Sequence, residues 1–383
     1  MIKPDYKNSI VNLMSSIGKT FNFDSPYKPL RQLNQKKIRQ SKNVVLLIID
    51  GMGYEQLRNI KEATTLNKYT RDKITSVSPS TTAAAITTFA TGLSPKEHAI
   101  TGWYMYVKEL GCVFVPLRSV PRMDGIELSS LDIDYNVIFD GKTFYEKINA
   151  DSYLVISKDL QSTDYTLSLH KTKETRSYRT LKGMFSQISS ILKKPSRKRR
   201  FIYAYWPLFD GYCHKYGTED KKTISHLKDI DNKISSLIET ARKTNTTLII
   251  TADHGLIDAN KKKILLEDHP KLKEMLSLPL TGEPRFAYCH VKAGKDKEFE
   301  KYIRTKLKKY CTSYRSEELS KQGYFGLHKE NPKLKDRIGD YVIVMKNNYI
   351  ILDKLAGQEY NKMIAHHGGL SKEEMYVPLI LID

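Results

Sequence analysis

Four short runs of uninterrupted apolar residues constrain this chain most: Val44 to Ile49 (VVLLII), Phe201 to Trp206 (FIYAYW), Thr247 to Thr251 (TLIIT) and Val377 to Ile382 (VPLILI). A strand wetted on one side alternates apolar and polar residues. Continuous runs of this length suit strands covered on both faces, as in a parallel sheet. Helical patterns lie between them, as in Ser225 to Arg242, where Leu227, Ile230, Ile234 and Ile238 recur at helical spacing. This alternation predicts an α/β fold, doubly wound, with a mostly parallel central sheet and helices on both faces. Residues from about 260 to 360 break the alternation, are rich in Lys and Tyr, and hold a predicted strand pair at Phe286 to Val291 and Tyr341 to Val344. They read as an inserted α+β cap subdomain. At 383 residues the chain exceeds the usual domain size, which suits a core plus insertion. The predicted organisation is an N-terminal helical extension (1–40), a core (41–260), the cap (261–360) and a C-terminal part of the core (361–383).

Lys and Arg number 63 against 43 Asp and Glu, a net charge of +20. Such a surplus favours an anionic partner: nucleic acid, a nucleotide, a phospholipid surface or another phosphate ester. Its densest cluster, Lys193 to Arg200 (KKPSRKRR), reads as a solvated loop, with anion steering as the alternative. The four cysteines show no CxxC and no framework spacing, which argues against a disulfide-stapled domain and a Cys-based zinc finger. The N-terminus lacks the apolar stretch of a signal peptide, and no run approaches 18 apolar residues. The expectation is a soluble, cytoplasmic chain without a transmembrane segment.

In a doubly wound fold, functional residues gather at the carboxyl ends of the strands. The first run here ends in Asp50-Gly51, the second is followed by Asp210, and the third runs into Asp253-His254. One such Asp is an ordinary turn or cap residue. Three together, with His254 beside one and His214 four residues after another, point to metal chemistry. With His367, the set comprises Asp50, Asp210, His214, Asp253, His254 and His367. Carboxylates and imidazoles without thiolates suit Zn²⁺, with Mn²⁺ or Fe as alternatives. Six groups are too many for one tetrahedral ion and right for two, an arrangement that serves phosphoryl transfer. Upstream, Val77 to Ala85 (VSPSTTAAA) places Ser and Thr hydroxyls at the start of a small-residue helix, where polarised N–H groups favour an ionised nucleophile. Ser80 or Thr81 can serve there as N-cap, which leaves the next hydroxyl free.

The motifs IIDGMG, STTAAAITTFATGLSPKEHAITGW, FDGYCHKYG, TADHG and HHGGLSKEEMYVPL, in this order, resemble the alkaline phosphatase superfamily. They are most similar to its nucleotide pyrophosphatase/phosphodiesterase branch, over roughly residues 40 to 260 and 360 to 383. The resemblance implies two zinc ions bridged by a Thr nucleophile. By position, Asp210, His214 and His367 would hold one ion; Asp50, Asp253 and His254 would hold the other. Thr82, itself a ligand, would attack phosphorus, because the family's nucleophile lies nine residues before the Thr of its TGL segment, here Thr91. His367 is preferred to His366 because the family's ligand directly precedes the Gly-Gly pair. The family's transition-state Asn, about twenty residues past the nucleophile, has no counterpart in Gly102-Trp103-Tyr104.

The function read from this resemblance is a two-metal phosphodiesterase or nucleotide pyrophosphatase that passes through a covalent phospho-threonine. Its partner would be an anionic small-molecule phosphate ester such as a nucleotide. A phosphomonoesterase, phosphonate hydrolase or sulfatase on the same site is the first alternative. A basic nucleic-acid-binding protein on a retired hydrolase fold is the second, and no helix-turn-helix, zinc-finger or RNP pattern supports it. Trp103 and Tyr104 are candidates for stacking on a base or shaping a leaving-group pocket, with core or cap packing as the alternative, and Arg285 for contacting a substrate phosphate, with a structural salt bridge as an equal alternative. His98 is expected to organise its loop, and Cys213 to point away from the ion shared by Asp210 and His214.

Overall fold

A computed structural model describes residues 1–383 except 124, 260, 261 and 361. The boundary expected between 260 and 261, like residue 361, lies outside the described residues. The main sheet is built from β1 (Asn43–Ile49), β2 (Thr70–Thr75), β3 (Asp151–Ser157), β4 (Glu174–Tyr178), β5 (Arg200–Trp206) and β6 (Thr246–Thr251), with the C-terminal strand Tyr376–Ile382. Every residue of β1, β5 and β6 is buried, as continuous apolar runs require. The order across the sheet is β2, Tyr376–Ile382, β6, β1, β5, β3, β4. Its two edges are the polar strands β2 and β4, which suits positions that present backbone to solvent.

Register places the site. Asn43 lies beside both Arg200 and Thr246, so the three central strands run parallel and start level. They also finish level: Ile48 pairs with Tyr205 on one side and Thr251 on the other. Asp50, Pro207 and Asp253 therefore emerge together at one edge.

The run Val377 to Ile382 departs from the parallel expectation. Its strand is antiparallel to both neighbours, with Ile380 beside Ile250 and Val377 beside Ile74. Burial on both faces dictates apolarity but carries no direction. Here only the short helix Lys372–Met375 precedes the strand, too little chain for a crossover, so it enters from the carboxyl edge and runs back. The reversal brings the preceding His366-His367-Gly368-Gly369 turn to the edge where the three aspartates emerge.

The segment expected as an N-terminal extension carries α1 (Ile10–Thr20), whose Ile10, Val11, Leu13, Met14 and Ile17 are buried in the core of the sheet. α1 packs on α2 (Thr82–Thr91), while α3 (Leu181–Lys193) packs on a long helix, Lys221–Lys243. That helix buries Leu227, Ile230, Ile234 and Ile238. Within 262–360, β7 (Thr281–Glu283), β8 (Phe286–Cys289), β9 (Cys311–Arg315) and β10 (Tyr341–Met345) form an antiparallel sheet in the order β7, β8, β10, β9. No helix among the described residues is long and apolar enough to cross a membrane.

The basic run lies at the opposite end of the sheet from the aspartates. Arg200 opens β5, and a seven-residue strand spans about 23 Å. Steering of substrate by this cluster is therefore not supported. Two of its residues turn inward instead. Arg199 donates to the carbonyls of Ser41, Thr20 and Ile38 at 2.9, 2.5 and 2.9 Å, and Arg200 to those of Ile191 and Lys194. Arg199→Ala is expected to lower unfolding stability by about 1–3 kcal/mol, because half-buried carbonyls lose a charged donor. The urea midpoint reads this loss, and activity per folded molecule stays unchanged.

Candidate active site

Asp50 directly follows β1, and Asp253 and His254 follow β6. Pro207 turns β5 into α4 (Leu208–Tyr216), with Asp210 in its first turn and His214 one turn on. The i,i+4 spacing puts both on one face. Thr82 is the first residue of α2, and His367 follows a two-residue strand, Ala365–His366.

The structure brings all seven together. Asp210 Oδ2 is 3.1 Å from His214 Nε2. His254 Nε2 lies 3.4 Å from Asp50 Oδ1, 3.4 Å from Asp253 Oδ2 and 3.0 Å from Thr82 Oγ1. The His367 ring stacks on His254 with centroids 3.9 Å apart and stands 5.3 Å from His214. Ligand atoms of Asp50, Asp253 and His254 fall within 4.8 Å of one another, as do those of Asp210, His254 and His367. His254 thus lies between the two acidic groups.

These residues fit divalent cations. Asp50 Oδ1, Asp210 Oδ1, Asp253 Oδ2 and His367 Nδ1 are buried atoms without a hydrogen-bond partner. Such atoms are costly unless a ligand meets them. The other carboxylate oxygens are fixed: Tyr205 donates its phenol to Asp50 Oδ2, and the N–H groups of Gly51 and His254 donate to Asp253 Oδ1 at 3.1 Å. His214 donates its Nδ1–H to Ala365 O at 2.7 Å and His254 to Gly255 O at 3.2 Å, which turns both Nε2 atoms towards the cluster. Burial, with the carboxylates of Asp253 and Asp210 nearby, holds the Asp50 carboxyl well above its usual range. Burial opposes the charge of His214, but Asp210 outweighs it and the imidazole is pushed up to about 9. The crowding that raises the Asp50 carboxyl is what a bound cation relieves.

A cavity of about 440 Å³ opens on this cluster, lined among others by Asp50, Thr82, Trp103, Tyr104, Arg118 and Glu283. The two aromatic residues read from the sequence do face it. Arg122 covers the Tyr104 ring at 4.1 Å and is paired to Asp353 at 2.8 Å; Arg118 lies 5.8 Å from the Trp103 ring. Arg285 does not line this cavity: of the two readings weighed for it, the phosphate contact fails and the structural salt bridge is what the structure shows. It is buried, its Nε and Nη2 donate to Glu374 at 2.7 and 3.0 Å, and its Nη1 donates to Tyr349 O. A carboxylate buried beside it takes the charge that a phosphate would need. Cys213 turns towards Gln56, and His98 sits buried between Thr88 and the Ile100 N–H.

Sequence reasoning missed Glu283 and Tyr205. Glu283 Oε1 accepts the Thr81 hydroxyl at 2.5 Å and the Trp103 N–H at 2.7 Å, and burial pushes its carboxyl up to about 7. It stands two residues before Arg285 in GEPRF, and nothing local marks it, since an acid is not the residue type expected beside a phosphate. Tyr205 belongs to a run legible only as strand; its place at the second-to-last position of β5 is the signal that was available.

The family model described as type I phosphodiesterase / nucleotide pyrophosphatase matches residues 44–370. The bis(5'-adenosyl)-triphosphatase ENPP4 of Homo sapiens is 36% identical over 70 residues, 17% of this chain and 16% of that protein. Its Xenopus laevis counterpart is 29% identical over 85 residues, 21% and 19% of the respective chains. The matched stretch thus spans less than a fifth of the length of these relatives. Among solved structures, murine ectonucleotide pyrophosphatase/phosphodiesterase 5 aligns with TM-score 0.67 at 19% identity, covering 89% of this chain and 87% of its own. Phosphonoacetate hydrolase from Sinorhizobium meliloti 1021 aligns with TM-score 0.63 at 18%, covering 88% and 89%. At these identities the structural likenesses show the fold. The family match extends from the first strand of the sheet to the Gly-Gly turn after His367, and the chain belongs to the type I phosphodiesterase / nucleotide pyrophosphatase family.

Proposed function

We propose that the chain hydrolyses a phosphodiester or phosphoric anhydride, such as a nucleotide derivative, with Thr82 as nucleophile. One observation carries this reading: of the three hydroxyls in Ser80-Thr81-Thr82, only that of Thr82 meets the Asp/His cluster, at 3.0 Å from His254 Nε2, and it does so at the wall of the cavity. Ser80 is bonded to Gly369 O and Thr81 to Glu283. Asp50, Asp253 and His254 would hold one divalent cation and Asp210, His214 and His367 a second, zinc foremost, with manganese or iron as alternatives. When bound, such ions supply Lewis acidity that favours the ionised hydroxyl and offsets charge on the phosphoryl and leaving oxygens.

The chain's own residues do the rest. Tyr205 and the Gly51 N–H orient the carboxylates. The Thr82 oxygen forms a bond to phosphorus as the bond to the leaving oxygen breaks, giving a phospho-threonine. Water then cleaves that ester and restores the hydroxyl. Trp103 and Tyr104 present apolar surface to the group carried on phosphorus. The solved structure of an inactive form of murine ENPP5 is a complex with AMP, which supports a nucleotide as the first substrate to try.

The test compares bis-p-nitrophenyl phosphate with p-nitrophenyl phosphate, before and after chelation. The reading expects a diester preference, a loss of about 100-fold or more on metal removal, and recovery with zinc or manganese. A monoester preference would make the protein a phosphatase. Undiminished turnover by metal-free protein would overturn the metal assignment.

A further inference from the structure

The basic run Lys193 to Arg200 has no part in the site described above, and at the floor of the sheet it is not alone. Arg199 donates to the carbonyls of Thr20, Ile38 and Ser41, and Lys42 Nζ donates to Arg197 O at 2.9 Å. Arg39 Nη2 reaches back to Lys19 O at 2.7 Å. These bonds draw three segments that are distant in the sequence, around residues 20, 40 and 197, onto one face. The run itself is held from beneath, since Arg200 donates to Lys194 O and the Asp151 N–H to Arg199 O. Lys193, Lys194, Arg197 and Lys198 are left exposed, as are Lys19, Lys36 and Arg39. Among the described residues, none of these seven forms an ion pair, and the acids at this end are already taken: Asp383 pairs with Lys37 at 3.0 Å and Asp151 with Lys173 at 2.7 Å. Burial, and the charge of Arg39 beside it, lower the Arg199 guanidinium, a sign of the repulsion that this gathering costs.

We propose that this face docks the protein, by charge alone, on an anionic phospholipid surface. β1, β5 and β6 start level, so the loops that enter them lie side by side at one end of the sheet. Such a plane of cations matches a plane of anionic head groups, each Lys or Arg adding its own attraction near the surface. A nucleic acid duplex asks instead for an element that projects into a groove, and a single strand asks for rings on which bases stack. Among the described residues, no large apolar or aromatic side chain is exposed on these segments. The face therefore neither stacks on bases nor wedges into hydrocarbon, and it adsorbs without inserting. The cavity lies at the opposite edge of the sheet, so a protein docked by its floor keeps the cavity open to water. The lipid is an anchor and not the substrate, and the inference stands apart from the reading of Thr82 as nucleophile.

The experiment is co-sedimentation of the full chain with phosphatidylcholine vesicles, with and without about 30 mol % phosphatidylserine. The protein is expected to bind only the phosphatidylserine vesicles in about 0.1 M salt and to leave them in about 0.5 M. Lys193→Gln, Lys194→Gln, Arg197→Gln and Lys198→Gln together should weaken binding by about 100-fold or more, at roughly fivefold per cation. Lys19→Gln with Lys36→Gln, from the other two segments, should weaken it about 10- to 30-fold. All six side chains are exposed, so the urea midpoint of each variant stays at the parent's. A control of equal charge loss on another surface, Lys301→Gln, Arg304→Gln, Lys306→Gln and Lys309→Gln, keeps the parent's binding. The proposal is overturned if the full chain does not bind phosphatidylserine vesicles, or if the control loses as much affinity as the fourfold floor variant. It is overturned as well if a DNA or RNA duplex binds more tightly than the vesicles and the floor variant loses that binding, which would make the partner a nucleic acid.

Discussion

Thr82→Ala is expected to lower kcat on a phosphodiester by roughly 10³-fold or more, the scale on which loss of a covalent nucleophile acts. The hydroxyl is the one alcohol of the cluster, the rest being carboxylates and imidazoles. It lies 3.0 Å from His254 Nε2 on a residue that is 9% exposed. Alanine suits the first turn of a helix already containing Ala83, Ala84 and Ala85, so the fold should be untouched. The measurement pairs steady-state turnover with metal content and a urea midpoint. Both of the latter stay near the parent's, because the six carboxylates and imidazoles remain. Thr82→Ser keeps the nucleophile and retains activity within about tenfold. A Thr82→Ala protein that keeps a tenth of the parent's turnover would move the attack to another group, and the phospho-threonine would have no place in the reaction.

The largest expected effect on stability belongs to Glu374→Ala. The Arg285–Glu374 pair is bidentate, and its side chains are 1% and 0% exposed. Removing the acid strands a guanidinium in the interior, which costs about 3–5 kcal/mol. Further bonds go with it: Glu374 accepts the N–H of Gly369 at 2.8 Å and closes a capping box with Ser371. These contacts hold the turn that follows His367, so weaker metal retention should accompany the lost stability. Denaturant unfolding with the m-value held constant reads the loss. Replacing both partners, as Arg285→Met with Glu374→Leu, should recover much of it, because a packed apolar pair carries no stranded charge. A shift equivalent to less than about 1 kcal/mol for Glu374→Ala would show that water reaches Arg285 and that the pair does not lock this region.

The two expectations divide along a line that also separates what could be read in the chain from what could not. The central strands and the aspartates that follow them were legible because burial on both faces imposes an uninterrupted apolar run, and a parallel sheet collects its loops at one edge. Asp210 and His214 were legible as partners because four residues is one helical turn. The direction of Tyr376–Ile382 was not, since apolarity records burial and not polarity of the chain. Nor were the allegiances of the charged residues. Arg285 was left between a phosphate and a salt bridge because its partner lies 89 positions away; Glu283 was passed over, but it grips Thr81 across 202 positions. Arg199 and Arg200 were counted with a solvated cluster, although they satisfy carbonyls at the floor of the sheet.

The sequence by itself therefore determined the central strands, the edge at which the chemistry gathers and the identity of the Asp/His cluster. The strands, their edge and the Asp/His residues that adjoin them follow from a periodicity or a spacing within one element and its adjoining loop, whereas His367 and Thr82 were chosen by the resemblance to the family. Only the tertiary structure decided which acid takes the Thr81 hydroxyl and which arginine is spent on the interior. A buried polar group must find its partner wherever the fold supplies one, and the cost of leaving it unpaired is set by distant chain that no local pattern encodes.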